Sequence, residues 1–89
     1  APLYSDRQSF AALAPALAHA LPHSIFTNTL LPRLIELASD RVPNVRLAVA
    51  HFFAQYAPEA SSDAVTNART ALSKDPDRDV RSCFIQHPV

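Results

Sequence analysis

The chain contains no glycine in 89 residues. Glycine lets a backbone take positive φ or pass close to a ligand. Phosphate-cradling loops, dinucleotide fingerprints and nucleophile elbows all depend on it, so none of them can be built here. A lone cysteine, Cys83, likewise excludes an internal disulfide and any thiolate-rich zinc site. Eight basic residues balance eight acidic ones. Nucleic-acid binding and polybasic membrane attachment need a positive surplus that this chain lacks. Hydrophobic residues form 48% of the sequence, which argues against disorder. Charged residues or histidines interrupt every long apolar run, so no segment is expected to span a bilayer.

The remaining signal is repetition. Leu37-Ala38-Ser39-Asp40-Arg41-Val42-Pro43-Asn44-Val45-Arg46 returns 35 residues later as Leu72-Ser73-Lys74-Asp75-Pro76-Asp77-Arg78-Asp79-Val80-Arg81, with identity at Leu, Asp, Val and Arg. A degenerate copy, Ala1-Pro2-Leu3-Tyr4-Ser5-Asp6-Arg7, keeps only the final Arg of that frame. Between these motifs the apolar residues keep helical spacing. Phe10, Leu13, Leu17 and Leu21 form one stripe, and Phe26, Leu30, Leu34 and Leu37 a second. Val45, Val49, Phe52, Phe53 and Tyr56 form a third, and Val65, Ala68 and Leu72 a shorter fourth.

Pro22, Pro43, Pro58 and Pro76 fall between stripes or in a first helical turn, where proline costs least. Five helices are predicted, near 5–20, 24–38, 43–57, 61–73 and 77–87, with no strands. Pro15 predicts a kink or an early end in the first helix. Pro32 falls in the first or second turn of the second helix. Asp77 or Asp79 suits the start of the last helix, facing its orphan N–H groups.

Helix pairs recurring every 35–39 residues predict an all-α fold, an α-α superhelix of about two and a half pairs. The expected division is 1–22 as the second helix of a partial repeat, 23–58 as a repeat, and 59–89 as a repeat with a truncated last helix. Tetratricopeptide and ankyrin signatures both require glycine. HEAT repeats instead carry an Asp in the turn between two helices, with Val and Arg five and six residues on. Asp40, Val45 and Arg46 match that spacing, as do Asp75, Val80 and Arg81.

The order Tyr4-Ser5-Asp6-Arg7, Leu30-Leu31-Pro32, Asp40 to Arg46 and Asp75 to Arg81 resembles the C-terminal HEAT repeats of the type 2A protein phosphatase scaffold (A) subunit over nearly the whole chain. Ala1 stands where that family usually has Asp, and Arg41 where it usually has Pro. The resemblance implies a non-catalytic scaffold whose intra-repeat turns hold a Ser/Thr phosphatase catalytic subunit beside a regulatory subunit. On that reading Tyr4, Arg7, Val42, Pro43, Asn44, Asp77 and Arg78 are the partner-binding residues. Asp40 with Arg46 and Asp75 with Arg81 form a structural ladder, each Asp capping its turn and pairing with an Arg of its own or the adjacent repeat.

The same residue types suggest other chemistry. Asp75, Asp77 and Asp79 alternate as in a calcium loop, but Val80 and Gln86 occupy the positions needing Gly and Glu. His19, His23, His51 and His87 lack nearby carboxylates, and Pro22 separates the first two, so no metal or cofactor is expected. Cys83 is expected to be a buried small hydrophobe. A small hydrolase built on Cys83 and His51 or His87 is one rival reading. Another is a HEAT adaptor, such as a transport receptor or assembly factor, binding partners on the concave helix face around 43–57. Solenoid ends left bare predict self-association, and the absence of targeting signals predicts a cytoplasmic or nuclear location.

Overall fold

The computed structural model describes residues 3–56 and 63–84, with side chains from Asp6 onward. All regular structure among them is helical. Helix α1 (Leu3–Ala20) is followed by α2 (His23–Ile25), a π-helical turn (Phe26–Leu30) and α3 (Leu31–Leu37), which run on as one rod. Then come α4 (Pro43–Gln55), α5 (Asp63–Ser73) and α6 (Arg78–Ser82). The expected extensions of the third, fourth and fifth helices into 57, 61–62 and 85–87 lie outside the described residues.

The helices form two layers. Helices α1, α4 and α6 lie side by side in one, while α3 and α5 are neighbours in the other. Each α3–α4 and α5–α6 pair is joined by a short turn. The shortest dimension, 19 Å, is that of two helices stacked at about 8–10 Å. This is the all-α architecture of a HEAT-repeat solenoid segment.

Between the layers lies a continuous core of Phe26, Leu34, Leu37, Val45, Val49, Phe53, Val65, Leu72 and Val80, all buried. Burying side chains of this size stabilises the stack by about 1.5–3 kcal/mol each. Aromatic rings tie the π turn to the end of α4: Phe26 lies 5.8 Å from Phe52 and 6.0 Å from Tyr56, and Phe52 stacks on Tyr56 at 4.8 Å. They are core, as their spacing implied.

Three details depart from expectation. Helix α1 does not end at Pro15 but continues to Ala20. Leu13 is 57% exposed, whereas Ala11 and Ala14 are buried. At ~100° per residue, Phe10, Ala14, Leu17 and Leu21 share a face from which Leu13 is rotated away. Small Ala side chains there let α4 approach closely. Ahead of Pro32 the helix widens, with the Leu31 N–H donating to the Phe26 carbonyl five residues back. Proline gives no N–H, and its ring crowds the carbonyl four residues earlier. A π turn relieves that crowding and leaves Pro32 at the start of α3. The Thr29 hydroxyl, donating to the Ile25 carbonyl at 2.5 Å, satisfies an acceptor in the same turn.

Candidate functional site

The two intra-repeat turns fall on the same edge of the stack and share one construction. In the first, the Asp40 carboxylate accepts the Val42 N–H at 2.9 Å; in the second, Asp75 accepts the Asp77 N–H at 2.8 Å. Each carboxylate thus closes its own turn in the manner of an Asx turn. Extended backbone at Val42 (φ −90°, ψ 118°) and Asp77 (φ −80°, ψ 126°) then leads into α4 and α6. Pro43 starts α4, where its missing N–H is no loss. Asp77 caps α6 by accepting from Asp79 N and Val80 N, so of the two acidic candidates for this helix start Asp77 is the cap.

Arginines join one turn to the next. Arg7 of α1 donates Nε and Nη2 to the two oxygens of Asp40, at 2.5 and 3.2 Å. Arg46 of α4 does the same to Asp75, at 2.7 and 3.1 Å. Its remaining arm, Nη1, donates to the Asp40 carbonyl at 2.7 Å. Arg81 repeats that last contact, Nη1 to the Asp75 carbonyl at 2.7 Å. Each carboxylate therefore meets an Arg from the preceding repeat, while the Arg six residues further on holds its backbone carbonyl. The side chains of Arg46 and Asp75 are 13% and 7% exposed, against 51% and 68% for the Arg33–Glu36 pair on the surface. Hydrogen bonding from Arg7 holds the Asp40 carboxyl below its ordinary value; the Val42 N–H adds to this and burial opposes it.

Around the ladder, Arg41, Pro43 and Asn44 are exposed on the first turn, and Lys74, Pro76, Arg78 and Asp79 on the second, with Asp77 half-buried. Two predicted anchors are placed differently. Val42 is half-buried and packs against the core, because it is the residue at which the turn enters α4. Tyr4 lies within α1 rather than on a turn, and its side chain is outside the described residues. Arg7 is taken up by Asp40.

His19 and His23 belong to different helices, separated by Pro22, and His23 meets Thr27 at 3.4 Å. His87 lies outside the described residues. Among the described residues, no three His, Cys, Asp or Glu side chains are grouped to hold a metal ion. Cys83 Sγ does approach His51 Nδ1, at 3.7 Å, and also the Asp79 carbonyl, at 3.6 Å. Burial pushes this thiol's pKa up, with the Asp79 charge adding to the effect. A nucleophilic cysteine needs the opposite shift.

Two features escaped sequence reasoning. Arg69 donates to the Tyr56 carbonyl at 3.0 Å and so latches α5 to the end of α4. A cation four residues after Val65 and three before Leu72 sits at core spacing, which is the signal that could have revealed it. At the edge opposite the ladder, Pro15, Ala18 and His19 of α1 face Phe52, Gln55 and Tyr56 across a groove of about 140 Å³. Only the packing of α1 on α4 creates it, so no local pattern announces it.

Comparison with known proteins gives the segment its relatives. The HEAT repeat family pattern matches residues 30–60, which hold α3, the first turn and α4. Serine/threonine-protein phosphatase 4 regulatory subunit 1 of Homo sapiens is 35% identical over 99% of this chain, and its Mus musculus counterpart 35% identical over 98%. The chain spans about a tenth of the length of these curated relatives. No solved structure matches.

Proposed function

We propose that this HEAT-repeat segment is a non-catalytic part of a phosphatase regulatory scaffold, and that its turn edge holds a Ser/Thr phosphatase catalytic subunit in the cytoplasm or nucleus. The likeness to a regulatory subunit of protein phosphatase 4 supports the class of partner. Both the human and the mouse relative carry that name. One observation carries the choice of surface: two turns of the same build, fixed in register by the Arg46–Asp75 pair, present Arg41, Pro43 and Asn44 in line with Pro76, Arg78 and Asp79. Many small contacts on a rigid line sum to specificity, with charges setting orientation more than affinity.

The raised thiol pKa of Cys83 and the lack of any glycine for an oxyanion loop count against the hydrolase reading. The adaptor reading keeps one supporting observation, the groove between α1 and α4. A single comparison separates the two. The parent protein should elute with a phosphatase 4 catalytic subunit as a stoichiometric complex in size-exclusion chromatography with light scattering. Charge reversal at two exposed turn positions, Arg41→Glu with Arg78→Glu, should weaken that complex at least tenfold, about 1.4 kcal/mol, and leave helicity unchanged. Binding that survives this change but is lost in Gln55→Arg would move the partner to the groove and refute the turn-edge assignment.

A further inference from the structure

We infer that the groove between α1 and α4 is a seat for an arginine side chain of a protein partner, separate from the turn edge. Its size sets the class of occupant. At about 140 Å³ it falls below the roughly 300 Å³ at which small-molecule sites begin, so it suits one inserted side chain. No Asp, Glu, Lys or Arg lines it, yet the field inside it has a sign. Both α1 and α4 start at the ladder and end at the groove, so their carbonyl ends meet there. Each such end carries the equivalent of about half a negative charge, and its last carbonyls lack helical donors. At α4 the chain supplies a cation of its own, Arg69, whose Nη1 donates to the Tyr56 carbonyl at 3.0 Å. At α1, an 18-residue helix, it supplies no fixed one. Residues 8–32 contain no Lys, Arg, Asp or Glu, and the last turn offers only His19. The complementary charge has to come from outside.

The lining selects a guanidinium among cations. Tyr56 borders the groove as a half-buried ring, held in place by stacking on Phe52 at 4.8 Å and 24°. A guanidinium lies flat on such a ring and keeps its N–H groups free at the edge, which the compact ammonium of lysine cannot do. The amide oxygen of Gln55 and the α1 end carbonyls are the acceptors for that edge. An apolar side chain would fill the space and leave those acceptors without donors. A carboxylate would meet two helix ends of its own sign. The inference stands on this geometry and is independent of which protein binds the turn edge.

The probe is a trifluoroacetyl-capped, amidated peptide with one arginine between alanines, titrated with the natural chain that carries this sequence and followed by fluorine NMR line broadening. It should bind about fivefold more tightly than the same peptide with citrulline, which keeps the shape and loses the charge, the scale of one exposed cation–π contact with helix-end support. The lysine peptide should fall between them. Gln55 is exposed, so its substitution leaves the core packing alone. Gln55→Glu should tighten arginine binding about threefold, as an exposed ion pair does. Gln55→Arg places a cation at the groove and should weaken it by about the same factor or more. Opposite responses of these two variants cannot come from misfolding. Equal binding of the arginine and citrulline peptides, or affinity unmoved by both variants, would overturn the proposal. Tighter binding of a leucine peptide would make the groove an apolar seat and refute it as well. Gln55→Arg should leave the complex with a phosphatase catalytic subunit intact, so the groove and turn-edge readings fail separately.

Discussion

Asp40 and Asp75 each perform two tasks with one carboxylate: one oxygen closes the local turn, and both receive an arginine from the preceding repeat. Removing one partner of such a shielded pair strands the other, at a cost of about 3 kcal/mol where burial is complete and less at this edge. Asp75→Ala should therefore lower unfolding stability by roughly 2–3 kcal/mol in urea titrations. Glu36→Ala, at the exposed Arg33 pair, should change it by less than about 0.5 kcal/mol. Acid should act through the same residue type. The folded-state pKa of Asp40 lies below its unfolded value of 3.8, so its contribution is full above that value and is lost as pH falls through the folded pKa. Arg7→Gln removes the main cause of the shift. The variant should lose stability at pH 7 and show a shallower further decline below pH 4 than wild type. At this scale the Asp, Val and Arg spacing made the ladder residues legible. Which Arg meets which carboxylate was not, because that depends on the stacking of repeats, and Val42 looked free because its half-burial depends on how the turn enters α4.

Helix positions were largely readable because proline and apolar spacing act locally. The departures arise where neighbours override local preference. Pro15 survives inside α1 because the helix gains its stability by packing Ala11, Ala14 and Leu17 on α4, against a proline penalty of about 3 kcal/mol. Pro15→Ala should accordingly raise stability by roughly 1–3 kcal/mol, the gain being reduced by the freer unfolded chain. Thermal unfolding followed by circular dichroism would read this as a higher midpoint, and an unchanged or lower one would show that Pro15 itself supports the packing. The π turn has the converse origin. Pro32 is its local cause, and Phe26 at its start reaches Phe52 and Tyr56.

In a stack of repeats, each pair is held by its neighbours, and breaking a contact between two pairs loosens the one it holds. Cys83 reports on this. It is buried beside α4, 3.7 Å from His51, so separating α6 from α4 exposes it to reagent. Thiol labelling at neutral pH should be slow in the native chain and should accelerate several-fold in Arg46→Gln, which breaks the rung to the α5–α6 pair. Arg7→Gln breaks the rung at the other end and should leave the labelling rate nearly unchanged. Equal acceleration by both variants would mean that the chain opens as a single unit. The overall architecture was legible from the repeat itself, whereas the groove, a product of two helices distant in sequence, was not.

The rungs formed by Arg7–Asp40 and Arg46–Asp75 all lie where α1 and α4 begin, and the groove lies where those helices end. A sheaf bound along one margin bends most easily at the other, as a book opens at its fore-edge and not at its spine. Small changes of tilt between α1 and α4 would then pivot on the arginines, leaving the turn edge in register while the distance between His19 and Gln55 widens or narrows. The same stack would thus offer a stiff margin for gripping and a compliant one for adjustment.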